Sequence, residues 1–100
     1  MVIMVLAQLS ISPLDVGISL HKYVKEVLKT LKQNDNIKFQ VNDMSTIIEA
    51  PDIDTLFDVV KESHEAMFKA GARRVITELK IDDRRDKKVH LGDKRKEVEV

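Results

Sequence analysis

Glu49 is the one charged residue in a largely apolar strand-like stretch, Ser45-Thr46-Ile47-Ile48-Glu49-Ala50. An ionised carboxylate buried without a partner costs several kcal/mol or is forced to take up a proton. A salt bridge, an edge position open to water, or a ligand would account for it. Other hydrogen-bonding groups stand near it in the sequence or on a strand that could pair with it. Asn42, Ser45 and Thr46 precede it, and Gln8 and Ser10 lie two residues apart in a second apolar run. Met44 and Leu14 would add apolar walls. A few convergent polar groups among apolar side chains are the usual make-up of a small-molecule pocket. A set rich in acceptors suits a ligand bearing amino groups or positive charge. The plainer account makes Asn42 and Ser45 turn residues and pairs Gln8 across a sheet.

Little else in the chain could carry a reaction. The absence of cysteine excludes disulfides and thiolate metal sites. His21, His64 and His90 are far apart, and the first two stand among charged residues of helical stretches, so they read as surface groups. No metal site is expected from that spacing. The three glycines form no phosphate-binding pattern, and no serine has the context of a nucleophile. Neither catalysis nor a cofactor is therefore expected. Seventeen basic and seventeen acidic residues cancel, which argues against a general nucleic-acid binder. Of Tyr23, Phe39, Phe57 and Phe68, only Phe39 falls on an expected strand, so a platform for stacking RNA bases is missing as well.

The elements that must position these residues follow from periodicity. The run 2–11 is β-branched and apolar on both alternating faces, as in a strand covered on both sides. At its start the apolar residues are far too few to span a bilayer, which takes about 20, and they lack the features of a secretory signal. A cytoplasmic protein with no membrane association is expected. Ser19 is a candidate N-cap for a helix with Leu20, Val24, Val27, Leu28 and Leu31 on its apolar stripe. Strands over 37–41 and 45–50 flank Asn42-Asp43 as a hairpin. Pro51-Asp52 opens a second helix striped by Leu56, Val59, Val60, Ser63, Met67 and Ala70, and Gly71 ends it. A fourth strand covers 74–81, followed by a solvated run of alternating charge. The remaining tail is either a frayed end or a short extra strand over 97–100.

The order β-α-β-β-α-β makes residues 1–100 a single α+β domain, a ferredoxin-like sandwich with two helices on one face of an antiparallel sheet. Two helices leave the other face bare. A large uncovered apolar patch is unusual on a monomer, so a homo-oligomer packed through that face is expected.

Four segments carry a family resemblance: Leu9-Ser10-Ile11-Ser12-Pro13-Leu14, Met44-Ser45-Thr46-Ile47-Ile48-Glu49-Ala50, Gly71-Ala72-Arg73-Arg74-Val75, and Leu79-Lys80-Ile81-Asp82-Asp83-Arg84-Arg85-Asp86. In this order they resemble the thiamine-binding protein family over essentially the whole chain. The resemblance implies a homotetramer built as a pair of sheet-to-sheet dimers. It also implies non-catalytic binding of thiamine or its hydroxymethylpyrimidine portion through Gln8, Ser10, Ser45, Thr46 and Glu49. Glu49 would accept from the ligand's amino or ring nitrogen. The chain departs from the family pattern at Ser45, where glycine is frequent, and at Gln8, where an acidic residue is common. A rival reading keeps the oligomer without a pyrimidine ligand and gives Arg73, Arg74, Arg84 and Arg85 to an anion or a partner protein.

Overall fold

The computed structural model describes residues 4–14, 21–86 and 91–92. Its elements run β1 (Met4–Pro13), α1 (His21–Lys32), β2 (Lys38–Val41), β3 (Thr46–Ala50), α2 (Ile53–Lys69) and β4 (Val75–Arg84). The expected β-α-β-β-α-β order is thus present, as a four-stranded antiparallel sheet of strand order β2-β3-β1-β4. β1 organises the sheet. It pairs with β4 along its whole length, Met4↔Arg84 to Pro13↔Val75, but with β3 only from Val5↔Ala50 to Leu9↔Thr46.

Alternation sorts the sheet into two faces. Val5, Ala7 and Leu9 of β1 pack with Ile48 and Ala50 of β3 against Tyr23, Val27 and Leu31 of α1 and Leu56, Val59 and Met67 of α2. The other face carries Met4, Leu6 and Ile47, all half-buried, and then turns polar at Gln8, Ser10, Lys38, Gln40, Glu78 and Lys80. Its apolar part is a stripe at one end, with exposed Ile76 at the other, and not the continuous patch suggested by 2–11.

Asp52 starts α2 in extended conformation, and its side chain accepts the Thr55 N–H at 2.7 Å. The hydrogen bonds from Thr55 hold the Asp52 carboxyl below its ordinary pKa. At the other end, Gly71 N–H donates to the Phe68 carbonyl and Ala72 N–H to that of Met67, at 3.0 and 3.1 Å. Gly71 takes φ +116° there, which glycine adopts without a Cβ penalty.

Several local expectations shift. In α1 the buried residues are Tyr23, Val27 and Leu31, one every fourth position, while Val24 is 47% exposed. β4 continues past Ile81 through Arg84, because Met4, Val5 and Leu6 offer it a ladder to pair with. Pairing there outweighs the charged composition of 82–84. His64 is half-buried and not a plain surface group: its Nδ1 lies 2.6 Å from Thr77 Oγ1, and its ring meets Phe68 edge-on. The candidate cap at Ser19 and the extra strand over 97–100 lie outside the described residues.

Candidate functional site

The unequal pairing of β1 creates the site. Because β3 ends its pairing at Leu9↔Thr46 while β4 continues to Pro13, residues 10–12 of β1 have no β3 neighbour. A cavity of about 270 Å³ opens at that step, between β1, the first half of α1 and the β2–β3 hairpin. Leu9, Ile11, Val24, Val27, Leu28, Val41, Met44 and Met67 supply its apolar lining. Ser10, Ser12, Asn42, Asp43, Ser45 and Thr46 supply its polar lining. This volume lies just below the roughly 300–1,000 Å³ usual for ligand pockets, which suits a small heteroaromatic ligand.

The hairpin shapes one wall. Asn42 N–H donates to the Ser45 carbonyl at 2.8 Å, leaving Asp43 and Met44 at the tip. Gln40 Nε2 donates to Asn42 Oδ1 at 3.3 Å. Met44 is 89% exposed, so its thioether can close on a ligand without leaving a packed position.

Five of the seven residues singled out by the sequence, Ser10, Asn42, Met44, Ser45 and Thr46, line this one cavity. Gln8 and Glu49 do not. A strand alternates faces at every residue, so Thr46 and Glu49, three apart, point to opposite sides. Gln8 lies in a shallow depression of the other face with Leu6, Ile47, Lys80 and Asp82. Leu14, expected as a wall, is not among the lining residues; it follows the last residue of β1, its N–H donating to the Arg74 carbonyl at 2.9 Å. Ser12, Val24 and Asp43 were not apparent as lining residues from sequence, since the overhang of β1 that gathers them is a property of strand pairing.

Glu49 lies on the opposite face of the sheet from this cavity. It is only 3% exposed, stands in register between Leu6 of β1 and Lys38 of β2, and its Oε1 accepts the Leu91 N–H at 3.2 Å. This hydrogen bond ties Leu91 to Glu49. Glu49→Ala removes the acceptor and leaves a partly buried N–H behind, which should cost about 1–3 kcal/mol. Thermal melting should register that loss, while calorimetric affinity for a cavity ligand stays within about a factor of three. A large affinity loss with unchanged melting would return Glu49 to the binding site.

The C-terminal arginines face carboxylates close by. Arg84 pairs with Asp86, its Nη2 at 3.0 Å from Oδ2, and Arg85 Nη2 lies 2.9 Å from Asp83 Oδ2. The hydrogen bond from Arg85 holds the Asp83 carboxyl below its ordinary pKa and raises that of the guanidinium. Such pairing reduces the positive field available to an outside anion. No helix among the described residues is long and apolar enough to cross a membrane.

The sequence profile of the thiamine-binding protein family matches residues 7–99. A UPF0045 protein of Methanothermobacter thermautotrophicus is 44% identical over 92 residues, 91% of this chain and 92% of that one. The crystal structure of hypothetical protein MJ1052 from Methanocaldococcus jannaschii superposes with a TM-score of 0.85 at 37% identity, covering 95% of each chain. A candidate thiamine biosynthesis/salvage protein of Thermotoga maritima shares the fold with a TM-score of 0.78 at 19% identity, over 94% of this chain and 97% of that one. With its profile matched over nearly all its length and its fold shared with these relatives, the chain belongs to the thiamine-binding protein family.

Proposed function

We propose that this protein is a cytoplasmic, non-catalytic binding protein for thiamine or a related aminopyrimidine such as hydroxymethylpyrimidine, held in the cavity at the end of β1. The observation that carries this reading is the cavity itself: an apolar slot of about 270 Å³ rimmed by hydroxyl and amide groups, in a chain of the thiamine-binding family. Val24, Val27, Leu28 and Met44 would sandwich the ring. Asn42, Ser45 and Thr46 would hydrogen-bond its amino group and ring nitrogens, while Ser10, which shares the other face of β1 with Gln8, borders the slot at the open edge of the strand. The proposed assembly is a homotetramer of sheet-to-sheet dimers, supported by the half-buried stripe of Met4, Leu6 and Ile47 on the face that no helix covers.

Isothermal calorimetry tests the ligand. Saturable binding of thiamine or hydroxymethylpyrimidine, with micromolar dissociation constants, is the expected result, corresponding to about 8 kcal/mol of binding free energy. No heat with either compound would remove the binding role.

A further inference from the structure

The charges around the cavity are one-sided. Among the described residues that line it, Asp43 is the single ionisable one; no lysine, arginine or histidine is present. The basic residues of the sheet, Lys38, Lys80 and Arg84, lie on its opposite face, in register with Glu49, Gln8 and Met4. No ion pair or side-chain hydrogen bond with another described residue engages the Asp43 carboxylate. Asp43 sits at the hairpin tip, between Asn42 and Met44 in the turn that the Asn42–Ser45 hydrogen bond closes. With the aminopyrimidine of thiamine held between the hairpin and α1, the thiazolium cation linked to it would lie at the rim with this carboxylate.

We infer that Asp43 is the charge-selecting residue of the cavity, which therefore takes a cationic or amine-bearing heteroaromatic in its unphosphorylated form and discriminates against its phosphate esters. This inference rests on the proposed binding role of the same cavity and adds to it the ligand's charge and the residue that reads it. A phosphate monoester carries about −1.5 to −2 charge near neutral pH. Phosphate sites answer that charge with lysine, arginine or a cradle of backbone N–H groups. Here an ester would bring it to a wall whose described ionisable group is itself an anion. Glu49 cannot take the role of Asp43, because it faces the other side of the sheet and accepts the Leu91 N–H.

Thiamine and thiamine monophosphate are the probes, titrated calorimetrically into the wild-type protein and into Asp43→Asn and Asp43→Glu. Wild type should bind thiamine about tenfold more tightly than the monophosphate, a ratio that shrinks as salt screens an exposed charge. Asp43→Asn keeps the side chain's shape and removes its charge. It should weaken thiamine by about fivefold, as for a solvated ion pair, and leave the monophosphate no weaker, so the ratio falls toward one. Asp43→Glu should retain most of the preference. Equal binding of both compounds by wild type, or a ratio unchanged in Asp43→Asn, would overturn the inference while leaving the binding role intact. If neither compound binds any variant, the binding role fails and this inference fails with it.

Discussion

Val24→Trp is expected to abolish thiamine binding while leaving the fold in place. Val24 lines the cavity from α1 yet is 47% exposed, so the side chain belongs to the pocket and not to the close-packed core. An indole at this position would project into a space of about 270 Å³ and occupy most of what one ring system needs. The affinity should fall at least about thirtyfold, equivalent to about 2 kcal/mol. Because no buried neighbour must move, the melting temperature should change little, as for most surface substitutions, which stay within about 0.5 kcal/mol. Calorimetry and thermal melting on one preparation separate the two effects. Full thiamine affinity in this variant would place the ligand elsewhere on the molecule.

The second large effect concerns stability and contrasts two adjacent residues of α2. Leu56 is fully buried in the core, whereas Phe57 is 50% exposed. Leu56→Ala should cost about 2–5 kcal/mol, the lost transfer energy plus the cavity left behind. That is a substantial share of the roughly 5–15 kcal/mol that holds a domain of this size together. The melting temperature should drop by about 10 °C or more. Phe57→Ala removes a larger side chain but should cost less than about 1 kcal/mol, since much of that ring is already in water. Denaturant titration of both variants gives the comparison directly. Equal losses would mean that a further surface, such as a second copy of the chain, covers Phe57 in solution.

The two substitutions probe different consequences of one pairing pattern. The same β1 that centres the core through Val5, Ala7 and Leu9 runs past the end of β3 and opens the cavity at residues 10–12. Stability is concentrated where β1 has strands on both sides. Binding is assigned to the part of β1 that has a strand on one side only. The hairpin can therefore tolerate exposed Met44 and Asp43 at its tip, because neither belongs to the core that holds the sheet together.

Much of this was legible before any coordinates. The apolar alternation of β1, the Pro51-Asp52 opening and Gly71 close of α2, and the hairpin around Asn42-Asp43 are local signals, set by side-chain period and backbone preference within a few residues. They sufficed for the element order and the ferredoxin-like fold. Five of the cavity residues were legible for a similar reason: the hydroxyl and amide groups of Ser10, Asn42, Ser45 and Thr46 interrupt or flank apolar strands, and Met44 stands among them as an apolar wall. The face on which each residue lies was partly legible too, since an odd separation within one strand already divides Thr46 from Glu49. What became of Glu49 was not, because its acceptor role depends on Leu91, 42 residues further along the chain. Nor could local pattern reveal that β4 extends through its charged end, that Tyr23 displaces Val24 from the core, or that Asp43 joins the cavity wall. Each of these depends on which strands lie side by side and how far each overhangs its neighbour. Non-local pairing decides that, and a one-residue change of register would exchange the two faces of a strand.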